Sequence, residues 1–382
     1  MADRFWVGNG ATTAWSATGP TNWSATSGGS NNASVPTSAD NAIFNGTGAT
    51  ANGTSTISGT ITVLSLNITA GFTGTIAHNA TLTVNGSITL GANYTITGAQ
   101  TLISGGTGTL TSNGRTWPNA LTFSATAGTK TLADNWTVNG IFTNSGVNTL
   151  NGNNLFLNGN LVVSNALTGT TNITLQGAAS VWSGAAGLAC NLTLAGTITI
   201  PGTANFQNKT LTCLTGTVNA AGSTLNTTGS TFNTPGIEWN NIIITASGTI
   251  TIQATLLAVS IATSTGQNVI FTGAAGFITE TLNYPVTTTS GTMTFQEGIE
   301  YIITSAFTSY QSRMATLPTF TSSSGTNKTF ITVRHGASCN LMGAFVRIDA
   351  SGGRTIQAFD SAVTDCININ AFSDFGAVSK TF

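Results

Sequence analysis

The sequence predicts an all-β chain wound as a β-solenoid (parallel β-helix), and three observations predict it. A short phrase of alternating apolar residues followed by glycine recurs: Trp136-Thr-Val138-Asn139-Gly140, Leu155-Phe-Leu157-Asn158-Gly159, Ile173-Thr-Leu175-Gln176-Gly177 and Leu192-Thr-Leu194-Ala195-Gly196. Its glycines step by 19, 18 and 19 residues, and a fixed step over that distance means stacked units rather than a closed globule. The alternation has period two, which buries one face of a strand and leaves the threonine face wet. Only 5% of the 382 residues are charged while 40% are hydrophobic, so Thr, Ser, Asn and 45 glycines supply the polarity. That much strand-forming apolar content excludes disorder.

About 19 residues cannot enclose a core. Laying each turn on the previous one, roughly 4.8 Å up, builds a continuous interior instead. With a period of about 19, residues 51–275 give on the order of twelve coils. Leu82-Thr-Val84-Asn85-Gly86 lies 54 residues before Gly140, three further steps of 18, with a weaker copy ending at Gly105. The reading places these phrases in one column and takes Asn-Gly as a bend needing left-handed backbone.

Residues 1–50 differ from the rest. Trp6, Trp15 and Trp23 fall here with Phe5 and Phe44 between Gly- and Ser-rich turns. An open solenoid end exposes apolar interior and an unpaired strand edge, so an aromatic cap is expected. The competing role for Trp6, Trp15 and Trp23 is an exposed platform on which sugar rings stack.

The same segment carries a resemblance. Phe5-Trp6-Val7-Gly8-Asn9-Gly10, Trp15, Thr21-Asn22-Trp23-Ser24, Pro36-Thr37-Ser38-Ala39-Asp40 and Phe44 resemble the pattern that opens many phage-encoded solenoid proteins. It also resembles the strand repeats of autotransporter passengers. Trp6 and Trp15 stand further apart than in that pattern, and Asn41 stands where a second acid is common. Phe345-Val-Arg347-Ile-Asp349-Ala-Ser351-Gly352-Gly353-Arg354 and Ala358-Phe359 are similar to the closing coils of such proteins. The resemblance implies a virion or surface fibre and supplies no catalytic residue.

Residues 51–275 read as the regular solenoid. Pro118, Pro201 and Pro235 fall between strand phrases, where a ladder N–H can be spared. Up to Pro235 the charges are Asp3, Arg4, Asp40, Arg115, Lys130, Asp134 and Lys209, which leaves Thr, Ser and Asn to cover the outside. Residues 276–382 read as an irregular β-rich portion with wider coils. Alternation persists at Thr292-Met-Thr-Phe295 and Thr329-Phe-Ile-Thr-Val333, and the one candidate helix spans Thr308 to Thr316.

No catalytic, cofactor-binding or metal site is expected. Glycoside cleavage needs two carboxyls about 5–10 Å apart. Asp3, Asp40 and Asp134 fall at unrelated phases of the repeat. Glu297 with Glu300, and Asp349 with Asp360 and Asp365, are the pairs that could converge, with an Asp349–Arg354 ion pair as the structural reading. His78 and His335 lack an oriented partner in sequence, although Ser338 and Cys339 are near His335. Gly105-Gly-Thr-Gly108 is followed by no Lys-Ser/Thr, so it is not a phosphate loop. Cys190, Cys213, Cys339 and Cys366 show no metal spacing and read as buried thiols of a reducing compartment.

A net charge of −1 without basic runs argues against nucleic acid as a partner. No apolar run approaches the roughly 18 residues of a membrane span, so no membrane insertion is expected. The start Met1-Ala-Asp-Arg-Phe5 has no apolar signal region, which points to assembly in a host cytoplasm. With the resemblance, the expected function is a non-enzymatic phage structural protein projecting from the virion as a tail fibre or spike. Its expected partners are two further copies in a homotrimer, other virion proteins and a host-surface glycan. A head-decoration fibre, a glycan-degrading tailspike and a bacterial adhesin are the alternatives. An ice binder is a fourth, raised by Thr81-Leu-Thr83, Thr95-Ile-Thr97 and Thr197-Ile-Thr199.

Overall fold

The computed structural model describes residues 1–184, 186–214, 218–264, 267–284, 292–296 and 299–309, and beyond them the strand segments 319–322, 330–333, 338–342, 345–346, 356–359, 362–363 and 369–372. Among the described residues every regular element is a β-strand, and no helix is long and apolar enough to cross a membrane. The candidate helix begins instead inside the strand Glu300–Ser309, and its remaining residues lie outside the described ones. The chain is a β-solenoid of parallel stacked coils. Two compact units divide it, Met1–Ile198 and Thr199–Phe382.

In the first unit most coils use three short strands. Gly128–Leu132, Trp136–Val138 and Phe142–Asn144 make one coil, and Asn148–Gly152, Leu155–Leu157 and Leu161–Val163 lie on them in parallel register. Three residues suffice because the outer two point inward, as in Leu155 and Leu157, both buried. Further on, two of the three columns merge into the long strands Leu167–Leu175 and Gly187–Leu194, whose register slips between Thr168 and Asn172. The slip turns the corner that a loop turns elsewhere.

The four phrases that announced the fold do stack: Trp136 lies beside Leu155, Leu155 beside Ile173, and Ile173 beside Leu192. Three finer expectations are corrected. Leu82 does not continue that column; it pairs with Leu102, which pairs with Leu121, which pairs with Phe142, so the earlier phrase belongs to a different face. The period is near 21 residues rather than 19, because the phrases sampled the tightest corners. Ile61 lies beside Leu82, 21 residues on, and Asn41 beside Ser65, 24 on. The glycines also serve a different need. Gly140, Gly159, Gly177 and Gly196 are absent from the left-handed region, and a Cβ on Gly159 would run into the carbonyl oxygen of Gly140 beneath it. Close stacking of backbone excludes the side chain.

In the second unit a long bent strand alternates with a short one. Val218–Thr228 pairs with Glu238–Ile244, slipping between Ala220 and Thr224, while Thr231–Asn233 pairs with Gly248–Ile252. Phe271, Phe277, Phe295 and Tyr301 pack ring to ring in its interior, with Phe277 and Tyr301 centroids 5.0 Å apart. Spacing becomes uneven beyond it: Thr292 pairs with Thr319, 27 residues on, and Glu300 with Phe330, 30 on, whereas Asn340 pairs with Gln357, 17 on, and Ile356 with Ile369, 13 on.

Candidate functional site

Three places in the first unit gather polar or aromatic chemistry: the N-terminal cap, a buried lysine network, and an outward face lined with side-chain amides.

The cap starts from Asp3–Trp6, which pairs in parallel with Asn41–Phe44 and antiparallel with Trp23–Ser24. Alternation turns Trp6 and Phe44 inward, where they meet Trp15 and Trp23. Trp15 and Trp23 centroids are 4.9 Å apart, Trp15 and Phe44 5.2 Å, and Trp6 lies over Phe44 at 5.6 Å. Phe72 extends the stack into the next coil, 5.1 Å from Phe44. The Trp23 indole N–H donates to the Trp15 carbonyl at 2.9 Å. The Asn22 amide donates to the Thr12 and Ala14 carbonyls and accepts from the Gly10 N–H, so the Asn-Trp pair ties the loop around the rings. Trp6, Trp15 and Trp23 are each 0% exposed. The sugar-stacking role expected as their alternative is therefore corrected: these rings close the solenoid and offer no face to a ligand.

Asp40 anchors the cap's edge. Its carboxylate accepts from the Thr37 hydroxyl at 2.7 Å, the Thr37 N–H at 3.1 Å and the Ala2 N–H at 3.2 Å. Desolvation pushes this carboxyl up, but the Thr37 bonds, the nearby Arg4 charge and the Ala2 N–H outweigh it, and the group sits below its ordinary range. Asn41 uses its amide to bridge Asp3 at 2.8 Å and Ser65 at 2.6 Å. Asp134 is committed in the same way, accepting from the Ser112 and Asn113 N–H groups at 2.7 and 2.6 Å.

Sequence reasoning passed over Lys130. Its signal is its phase: in Thr129-Lys130-Thr131-Leu132 it shares the inward parity of Leu132. The side chain is 0% exposed, and its ammonium donates to the Gly106 carbonyl and to Asn148 Oδ1 at 3.3 Å. Asn148 in turn donates to Asn144 Oδ1 at 2.9 Å, and Asn144 donates to the Asn165 carbonyl at 2.7 Å. A polar chain thus runs up the interior through successive coils. The Phe123 ring centroid lies 5.5 Å from Nζ. Burial pulls the Lys130 amine down to about 8.

His78 ends the strand Thr75–His78 and is 1% exposed, with Trp117 packed edge-on at 5.6 Å. Burial pulls its imidazole down to about 4, so it is neutral at physiological pH. Cys190 and Cys213 are buried, and burial pushes the Cys213 thiol up to about 12. Glu297, His335, Asp349, Arg354, Asp360, Asp365 and Cys366 lie outside the described residues, as do the side chains of Glu300, Ser338 and Cys339.

The outward face is built by the same four phrases. Asn139 accepts from Asn158 Nδ2 at 2.7 Å, and Asn158 accepts from Gln176 Nε2 at 3.1 Å. On the other side of the strands, Asn154 accepts from Asn172 Nδ2 at 3.2 Å, and Asn172 from Asn191 Nδ2 at 2.9 Å. Between the two ladders runs the row Thr137, Phe156, Thr174, Thr193, paired in register and part-exposed.

No family model, curated protein or solved structure matches the chain. Function is therefore argued from the residues. Of the Thr rows, this one is interrupted by Phe156, and Ile103 stands between Thr83 and Thr122 on the next face, whereas Thr54, Thr75 and Thr95 pair in an unbroken row of three.

Proposed function

We propose that the chain is a non-enzymatic structural protein of a phage particle, projecting from the virion as a tail fibre or spike that meets the host surface. The observation that carries this reading is the cap. The residues that resemble the opening of phage solenoid proteins are the ones that close this solenoid, with Trp6, Trp15, Trp23 and Phe44 as its plug and Asn22 and Asp40 as its ties. A plugged parallel stack suits a projecting element, since covering an end removes the edge on which a second chain would otherwise add. Scarce Lys and Arg, 10 in 382 residues, suit a particle exposed to host proteases. The Asp3, Asp40 and Asp134 carboxylates hold side-chain or backbone N–H groups of the cap and corners, which supports a structural rather than an acid–base role for them. The protein would assemble in the host cytoplasm and stand on the virion as a homotrimer.

Cryo-electron microscopy of intact virions from a lysate in which the chain carries an epitope tag tests this. The expected result is a threefold projection in which the capped coils can be traced, decorated by antibody. Particles without the chain, or a chain recovered only as free monomer, would overturn the reading.

A further inference from the structure

We propose that the outward face spanning residues 135–195 is a binding surface for an uncharged polysaccharide, with Phe156 as the ring on which a sugar stacks. This rests on the host-attachment reading and deepens it by giving attachment a place and a ligand chemistry.

The argument begins with what the ladder leaves unused. A carboxamide carries two N–H donors and two acceptor lone pairs. Asn158 spends one donor on Asn139 and one acceptor site on Gln176, and Asn172 spends one donor on Asn154 and one acceptor site on Asn191. Asn158 and Asn172 thus each keep both kinds of capacity at the surface, and Asn158, Asn172 and Gln176 are exposed. Vicinal hydroxyls, each donor and acceptor at once, match that pairing. The rungs are also held by one another, so little rotamer freedom is left to lose on binding.

Phe156 supplies the apolar contact. Threonine occupies its row at Thr137, Thr174 and Thr193, yet a large aromatic stands here, partly exposed, between Asn154 and Asn158. Its strand neighbours Leu155 and Leu157 already fill the interior, so the core does not require it. With coils about 4.8 Å apart and alternate residues about 7 Å apart along each strand, the four coils offer a patch of roughly 14 by 14 Å, the footprint of a short oligosaccharide. No charged residue lies on it: the phrases at 135–139, 154–158, 172–176 and 191–195 contain none. An acidic glycan would find no cation to pair with, so the complementary ligand is neutral.

The test uses the full chain against soluble cellohexaose, maltohexaose, a neutral galactan oligosaccharide and, as the acidic control, a hyaluronan hexamer. Binding is followed by titration calorimetry and by two-dimensional amide-resolved NMR. At least one neutral probe is expected to bind and to shift side-chain amides of the ladder. Phe156→Ala should weaken it on the order of tenfold, and Asn172→Ala several-fold, with unchanged thermal midpoints showing that the coils persist. Binding of hyaluronan alone, no binding by any probe, or binding indifferent to both substitutions would overturn the proposal. So would a change of oligomeric state in Phe156→Ala by analytical ultracentrifugation, since the face would then be a contact between copies. Absence of sugar binding by the unaltered chain, with that chain still found on virions, would defeat this inference and leave the virion reading standing.

Discussion

Two stretches of the same interior solve the burial problem in opposite ways. Around Phe44 the inside of the coil is aromatic, and its one described indole bond, from Trp23 to the Trp15 carbonyl, closes on the backbone. Around Lys130 the inside is polar, a lysine and two asparagines handing hydrogen bonds from coil to coil. The difference teaches where specificity resides. Aromatic packing tolerates small displacements, since rings find offset or edge contacts over a range of centroid distances. A chain of directional bonds through Asn148 and Asn144 tolerates less, because each needs its donor and acceptor aligned at about 3 Å.

The largest break in this comparison comes from emptying the cap. Trp23→Ala removes a ring touching Trp6, Trp15 and Phe44 and strands the Trp15 carbonyl. A loss of about 3–5 kcal/mol is expected in chemical denaturation, concentrated in the N-terminal coils by hydrogen exchange. Trp6→Phe sharpens the point: the Trp6 indole N–H has no partner, so this change should cost far less than Trp23→Phe.

A base placed in the apolar interior must be neutral, and His78 shows what that costs on acidification. Its folded-state value near 4 lies below the ordinary 6.5, so between those values the unfolded chain holds more protons than the folded one. Stability therefore falls as pH drops through that window, by about 3 kcal/mol for full protonation of the unfolded state. His78→Leu should flatten this part of the pH profile measured by thermal unfolding between pH 6.5 and 4. An unchanged slope would mean that His78 does not carry this acid sensitivity; Asp40, whose carboxyl is lowered from 3.8, loses its stabilising contribution only below that window.

In the polar stretch, Asn148→Leu keeps the volume and removes the hub. Lys130, Asn144 Oδ1 and the Ser124 carbonyl each lose a partner. About 2–3 kcal/mol should be lost, and register defects should appear as doubled amide resonances from residues 144–166.

What was legible in the sequence follows the same division. Alternation and the stepped glycines exposed the coils because stacking repeats its demands: Gly159 must clear Gly140, and Leu155 must cover Trp136. The cap was legible because five large aromatics in a Gly- and Ser-rich segment have few other uses. Face assignment failed, since Leu82-Thr-Val84 and Trp136-Thr-Val138 are the same phrase on different sides of the coil, and only pairing distinguishes them. Burial of the tryptophans was open because composition does not say whether a ring closes an end or decorates it. The amide face went unnoticed because Asn158 was read as a corner residue and Asn154 was given no role, while the bonds to Asn139 and Asn172 that make them rungs depend on register.

The smallest effect tests whether the lysine belongs to the fold or burdens it. Lys130→Met removes the charge and keeps the length, at the cost of two orphaned acceptors, Gly106 O and Asn148 Oδ1. The amine titrates near 8 in the folded chain and near 10.5 when unfolded. Below pH 8 both states are protonated and the full desolvation penalty stands. Between 8 and 10.5 the unfolded chain holds the extra proton, so wild-type stability rises with pH across that window. Above 10 the buried Tyr284 and Tyr301 phenols, pushed up to about 12, act in the opposite direction in both proteins and cancel in the difference. Lys130→Met should therefore gain about 1–2 kcal/mol at pH 7, and that advantage should shrink and reverse by pH 10.5, where the neutral amine keeps its hydrogen bonds without penalty. A variant that is destabilised at pH 7 would mean that the ammonium's bonds outweigh its burial, and the lysine would then be a structural tie of the same rank as Trp23.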